Sequence, residues 1–327
     1  MTATTHLPVE GALPDLDGAT AWLNSDPLTP TGLRGKVVVV QFCTFSCINW
    51  LRTMPYIKAW ADKYRDAGLV VIGVQSPEFP FEHDLEKIRS ALDAMGVGYP
   101  IAVDNDFAIW RAFDNAYWPA LYFVDAEGRI RHHHFGEEDY ERSERVIQQL
   151  LGDAGSDDVG EELVAVRADG VYLAADWDTL GSPETYVGYA RATRFAPPGG
   201  LRPDRSQVYV KPAQLALNRW ALSGDWTVGP QITTLNEPGG GIVHRFHGRD
   251  LNLVLGNRAD RPTRFRVLID GQPPNRDRGL DVDEQGNATV SEERLYQLVR
   301  QNGPITERTF EITFLDPGAQ AYVFTFG

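Results

Sequence analysis

The 327-residue chain holds only two cysteines, Cys43 and Cys47, and only three methionines. Two thiols in a chain of this length cannot build a disulfide scaffold, so apolar cores must hold the fold. Basic residues are scarce too: 31 Lys and Arg stand against 45 Asp and Glu, a formal charge of -14. That surplus repels phosphate backbones and anionic lipid, so neither nucleic acid nor a membrane surface is an expected partner. Long apolar runs are missing. The longest, such as residues 37–40, are strand-sized, far short of the roughly 20 residues a spanning helix needs. Residues 1–19 carry no basic cluster and no apolar stretch of signal-peptide length. A soluble, cytoplasmic protein is the expectation, although a chain relieved of a membrane anchor would look the same.

What remains is an ordinary globular balance, 43% apolar and 23% charged, and a length that suits two domains. From residue 11 to 151 short β-rich runs alternate with helical spacing. Residues 36–42 and 69–75 read as buried strands, and 52–66 and 84–95 as helices. Residues 121–125 and 130–135 form a hairpin about Glu127-Gly128, and 141–151 a closing helix. This order predicts an α/β domain over 1–152, a mixed sheet covered on both faces. Residues 153–160 are small and acidic, a linker signal. Over 161–327 short runs separated by turn residues predict an all-β jelly roll or sandwich, interrupted by one helix over 291–300 that Ser291 would cap.

Cys47 falls where a strand, a short loop and a helix start follow one another. Unpaired N–H groups and the helix dipole favour a thiolate there, and Arg52, one turn on, would add positive potential if it reached back. Several segments carry a specific resemblance: residues 13–18 (LPDLDG), 28–42, 70–79, 104–113 and 117–137, with Pro55 placed eight residues after Cys47. The chain resembles the thioredoxin-like domains of the TlpA/ResA type, most of all the soluble C-terminal portion of DipZ-type proteins. The resemblance implies a thioredoxin fold, thiol–disulfide exchange, and a cis-proline at Trp118-Pro119 beside the cysteine.

The sequence departs from that pattern in three places. Trp50 stands where Cys-x-x-Cys would place the resolving thiol, and Cys43 stands where such domains usually carry Trp. Gln41 replaces the buried acid of thioredoxin, and Glu78, at the end of the next strand, is the expected substitute. Cys47 is therefore the expected nucleophile. Cys43 is either its partner, if a tight loop brings the Cα atoms within disulfide range, or a small core residue. Trp50, Trp118, Pro119 and Glu78 are expected to line the surrounding binding surface. The partner is then an oxidised or disulfide-containing protein or thiol, with Cys43 or an external thiol resolving. No metal or organic cofactor is implied.

Two other readings stay open. One is an inactive thioredoxin-fold binding module. The other is a peroxiredoxin-like thiol peroxidase, suggested by Thr-x-x-Cys at residues 44–47 but lacking the expected proline (Val40 stands there) and arginine. His132, His133 and His134 invite a metal reading; on a strand only His132 and His134 share a face, and nothing completes a site. His244 and His247 are expected on the surface rather than as ligands. Residues 239–241, three glycines before a strand, read as a turn rather than a phosphate loop. In DipZ-type proteins the β-domain resembles a carbohydrate-binding module, so Trp177 and Trp220 are candidates for stacking a glycan. The alternatives are that these rings fill the core, or that the domain docks a protein or a second copy of the chain.

Overall fold

The computed structural model describes residues 7–156, 159–258 and 262–327; residues 157 and 158 of the expected linker lie outside them. The chain divides into two compact units, Met1–Tyr172 and Leu173–Gly327.

The first unit is built on the strands β1 (Gly11–Ala12), β2 (Ala21–Leu23), β3 (Val37–Cys43), β4 (Leu69–Gln75), β5 (Ile101–Val103), β6 (Ala120–Val124) and β7 (Arg129–Phe135). Its helices are α1 (Ile48–Lys63), α2 (Leu85–Ala94), α3 (Ala108–Ala112) and α4 (Tyr140–Asp153). The sheet runs β1-β7-β6-β3-β4-β5-β2. Strands β3, β4 and β5 are parallel, and β6 lies antiparallel to β3. This is a thioredoxin fold, with the central β3 buried along its whole length. A run of β-branched residues covered on both faces suits such a strand. Val38, Val40 and Phe42 pack with Leu16 and with Ile109 of α3 on one face. The alternate residues face α1, where Gln41 bonds to Trp50 and Thr53.

Helix α1 begins at Ile48, ahead of the apolar pattern that starts at residue 52, because Cys47 already supplies the first helical acceptor: Leu51 N–H donates to its carbonyl at 3.0 Å. Asp84 caps α2, its carboxylate accepting from the N–H groups of Glu86 and Lys87. The segment beyond the acidic stretch stays with this unit. Buried Glu144 of α4 accepts from Trp60 Nε1, Tyr64 OH and the Val164 N–H, and Lys63 donates to the Glu162 carbonyl.

The second unit is all-β, a large curled sheet whose named strands, among the described residues, pair antiparallel. Its strands are β8 (Thr185–Tyr186), β9 (Ser206–Tyr209), β10 (Trp220–Val228), β11 (Thr233–Leu235), β12 (Gly241–Phe246), β13 (Asp250–Asn257), β14 (Thr263–Ile269), β15 (Asn287–Val290), β16 (Arg294–Arg300), β17 (Arg308–Phe314) and β18 (Ala319–Phe326). The long β10 pairs with β12 through its first half and with β9 and β11 through its second. Gly224 sits where the partner changes, with φ 90° and a backbone neighbour that leaves no room for a Cβ: Gly240 Cα would lie at 2.6 Å. Residues 238 and 239 form the turn expected at the glycine run.

Two expectations need correction here, and for Trp220 one of two open readings, the core, is the one observed. The helix over 291–300 is the strand β16, paired with β13. Residues 295–299 are all buried, so the strand is apolar on both faces and its continuous pattern does not separate from a helical one. Trp220 lies wholly in the core, its Nε1 donating to the Thr193 carbonyl at 2.8 Å, so it presents no ring to a glycan. His244 is not on the surface. Its ring is fully buried against Phe324 and Phe326, and neither nitrogen has a partner.

That burial lowers the His244 pKa from 6.5 to about 3. The unfolded chain therefore takes up a proton near pH 6.5 that the folded chain refuses until about pH 3, and stability falls as pH falls through that window. The expected loss from this residue is about 1.4 kcal/mol per pH unit below 6.5. Urea unfolding at pH 7 and pH 5 checks it. His244→Phe should flatten the dependence by that amount, and an unchanged slope would count against a neutral buried ring.

Candidate active site

The loop between β3 and α1 delivers Cys47 to the N-terminal end of a 16-residue helix. Cys47 is the N-cap residue, with extended backbone (φ -79°, ψ 117°). Its N–H donates to the Thr44 carbonyl at 3.1 Å, closing the tight turn at residues 44–47. The thiol is half-buried, and its Sγ lies 4.0 Å from the carbonyl oxygen of Trp118. The Trp118-Pro119 peptide bond is cis. Antiparallel pairing of β6 with β3 carries this loop to the end of β3 where Cys47 emerges.

The Trp118 loop is fixed from behind. Trp118 Nε1 donates to the Ser76 carbonyl at 3.1 Å, and its ring lies 4.3 Å from that of Trp110. Ser76 Oγ donates to Asp104, whose carboxylate also accepts from the N–H groups of Ile109 and Trp110 at the start of α3. Burial raises the Asp104 pKa against those bonds.

Cys43 has a different environment. It ends β3, is buried, and directs its thiol at the Val74 carbonyl of β4, 3.4 Å away. Strand β4 flanks β3 on one side and β6 on the other. The two sulfurs thus make their contacts on opposite sides of β3, and neither cysteine is in a disulfide. Burial, and secondarily the nearby Glu82 carboxylate, push the Cys43 thiol far above the ordinary range.

Trp50 is not a surface residue, contrary to expectation. Its ring is fully buried and its Nε1 donates to Gln41 Oε1 at 3.1 Å. Gln41 Nε2 donates to Thr53 Oγ1 at 2.8 Å, and Thr53 donates back to the Trp50 carbonyl at 2.7 Å. The two departures at positions 41 and 50 are therefore one feature. An indole N–H under the sheet needs an acceptor, and the amide supplies it while satisfying its own donor. Arg52 likewise turns away from Cys47: its guanidinium is buried in an ion pair with Glu137, 3.0 Å apart.

Glu78 does not supply the buried acid. Its backbone N–H donates to the carboxylate that does, Glu82, at 2.6 Å. Glu82 is wholly buried and also accepts from the Phe79 N–H (2.9 Å) and from Ser46 Oγ (2.5 Å) and N–H (3.4 Å). It thereby ties the residue before Cys47 to the loop after β4. Desolvation raises its pKa against these bonds. An acid inside the aromatic run at residues 79–82 was the available signal, because a carboxylate flanked by rings is placed for burial and needs donors. Glu82→Gln should cost about 1–3 kcal/mol, since its amide would face backbone donors. Thermal melts check this, and an unchanged melting temperature would show that the four donors do not need a carboxylate.

Pro119 is buried in front of β6. His132 and His134 share one face of β7, half-buried, the first against the Phe123 ring and the second beside the Glu137 carbonyl. Among the described residues no group of three or more His, Cys, Asp or Glu is placed to hold a metal ion. No helix among them is long and apolar enough to cross a membrane.

The first unit is thus a thioredoxin fold with a single cysteine at the start of its main helix, facing a proline loop. Residues 11–133 match the model of the AhpC/TSA family, and residues 182–327 match that of the thioredoxin like C-terminal domain. The thiol-disulfide oxidoreductase YkuV of Bacillus subtilis (strain 168) is 31% identical over 141 residues, 43% of this chain and 95% of YkuV. The chain belongs to the thioredoxin-like thiol–disulfide oxidoreductase family. It is also 37% identical over 266 residues to protein DipZ of Mycobacterium bovis (strain ATCC BAA-935 / AF2122/97), a match covering 80% of this chain and 37% of DipZ. The chain therefore spans little more than a third of that relative. A solved thioredoxin-like protein in the oxidized form is 32% identical and aligns over 44% of this chain and 97% of its own, with a TM-score of 0.41.

Proposed function

We propose that the first unit performs thiol–disulfide exchange through Cys47 alone, with the resolving thiol supplied from outside the chain. The supporting observation is Cys47 at the N-cap of α1, 4.0 Å from the Trp118 carbonyl, with buried Trp50 where a second thiol would stand. In this reading the Cys47 thiolate, favoured by the helix N-terminus, attacks one sulfur of a substrate disulfide. The S–S bond breaks, and the other sulfur leaves as a thiolate that takes a proton from water. An incoming low-molecular-weight thiolate then attacks the substrate sulfur of the mixed disulfide and expels the Cys47 thiolate. Cys43 takes no part, because its buried thiol does not ionise in the working pH range and points to β4.

Titrating alkylation by iodoacetamide against pH tests the reading. Modification of Cys47 should persist well below about pH 8, the region where an ordinary thiol loses reactivity. An ordinary titration would favour the inactive binding module. The peroxidase reading draws on the AhpC/TSA match over residues 11–133. Against it, the Thr44 hydroxyl already accepts from Gln75 Nε2 at 3.2 Å, and Arg52 is committed to Glu137. Hydrogen peroxide consumption at a rate matching disulfide exchange would revive it. In the β unit a glycan contact would rest on Trp177, which is exposed, and not on Trp220.

A further inference from the structure

Strand β9 (Ser206–Tyr209) pairs with β10 and with no other named strand. The ladder shows which way its backbone groups point. Asp225 of β10 turns its carbonyl away from β9, where it accepts from the Asn236 N–H at 2.9 Å. Val228 turns the other way and accepts from the Asp204 N–H at 2.8 Å. In an antiparallel pair each residue sends its N–H and C=O to the same side. Val208, opposite Asp225, and Ser206, opposite Thr227, therefore turn both backbone groups to the free edge. The Val208 carbonyl there accepts from the neighbouring side chain, Gln207 Nε2, at 2.8 Å.

The loop beside this edge does not pair with it. Pro197 and Pro198 have no N–H to offer, and Gly199 and Gly200 turn the chain at φ 90° and 67°. A cavity of about 320 Å³ lies between the two, lined by this Pro-Pro-Gly-Gly run and by Val208, Tyr209 and Val210. Val208 and Val210 are the most exposed large apolar side chains among the described residues, at 62% and 78%. An exposed apolar strand edge is a template for a further strand.

Charge selects the partner. The chain carries -14, yet residues 188–215 hold five cations and a single acid, Asp204, which accepts from Tyr189 OH. Arg202 on the cavity rim and Arg205 just before β9 are exposed, and neither is in an ion pair with a described residue. A second copy of the chain is a poor occupant. Antiparallel pairing of two β9 edges about Val208 sets Arg205 opposite Lys211 at both ends, and like charges directly opposite destabilise a sheet. An acidic strand meets the opposite sign there.

We propose that the free edge of β9 binds an extended acidic peptide of a protein partner by strand addition. The peptide backbone bonds to Ser206 and Val208, an aliphatic side chain enters the cavity, and carboxylates meet Arg202 and Arg205. This surface does not depend on the chemistry of Cys47.

The probe is a fluorescein-labelled heptapeptide alternating Glu and Val, titrated with the full chain and followed by fluorescence anisotropy. It should bind saturably, and a peptide with Lys in place of Glu should bind at least about tenfold more weakly. Val208→Pro removes an outward N–H without touching the ladder to β10, and should weaken the Glu peptide about tenfold. Arg202→Glu/Arg205→Glu changes two exposed side chains and should reverse the preference, so that the Lys peptide binds more tightly. No saturable binding to the wild type, or equal binding of the two peptides, would overturn the proposal. So would a preference that survives the charge reversal, whether or not the proline variant folds. Unchanged binding in a Val208→Pro protein with native circular dichroism would reject strand addition. Sedimentation of the wild type as a dimer that Val208→Pro dissociates would assign the edge to a second copy, and equally reject it.

Discussion

Cys47→Ser is expected to abolish disulfide exchange, lowering the rate about a thousandfold or more, while Cys43→Ala stays within about threefold of the parent. The asymmetry follows from where the two sulfurs sit. Cys47 is half-buried at a helix N-terminus beside the Trp118 carbonyl, whereas Cys43 is sealed against β4 with its thiolate strongly disfavoured. Reduction of a peptide disulfide by excess glutathione, followed for both variants, checks both halves. Comparable losses in the two variants would mean that Cys43 resolves the intermediate after all, which requires the loop at residues 44–47 to open. Intact mass after mild oxidation gives an independent reading: a Cys43–Cys47 bridge would remove two hydrogens, and a one-thiol site would instead collect external adducts.

Trp50→Ala should cost about 3–5 kcal/mol of stability, the range for deleting a large buried ring. Part of that loss belongs to Gln41, whose Oε1 would lose the indole donor in a place where water does not reach. A double-mutant cycle isolates the share: Trp50→Phe and Gln41→Leu should each destabilise, and the pair together should recover about 1 kcal/mol or more of the summed cost. Urea midpoints measure all four proteins. A Trp50→Ala cost below about 1 kcal/mol would show that the ring is not packed as described. The same geometry explains why Trp50→Cys alone should not make a sound dithiol enzyme. It restores the Cys-x-x-Cys spacing but empties the volume of an indole behind the nucleophile.

Much of this was legible along the chain. Short β-branched runs bounded by turn signals, and helical spacing, placed β3, β4, α2 and the β6–β7 hairpin close to their observed limits. The position of Cys47 at a helix start was readable from a strand, a short loop and a helix in sequence. The failures share one cause. Residues 295–299 are buried on both sides, so periodicity carried no information about strand or helix. His244 and Trp220 carry polar atoms, but the curled β sheet closes over both. Glu78 and Glu82 are four residues apart, and only the 3-10 turn at Pro80–His83 decides which carboxylate turns inward.

By itself the sequence determined that one unit has a thioredoxin fold, that an all-β unit follows, and that Cys47 sits at the start of α1 with Trp50 in place of a second thiol. The thioredoxin fold followed from a resemblance carried by segments spread over residues 13–137; the rest are properties of local pattern and of spacing within one strand–loop–helix segment. Only the tertiary structure decided the fate of the other thiol, the identity of the buried acid and the meaning of Trp50. Each depends on which strand or loop lies across from the residue: β4 for Cys43, the loop before Cys47 for Glu82, and Gln41 on β3 for Trp50. Burial and pairing between segments far apart in the chain set the chemistry of a side chain, and that information is carried by no single stretch of sequence.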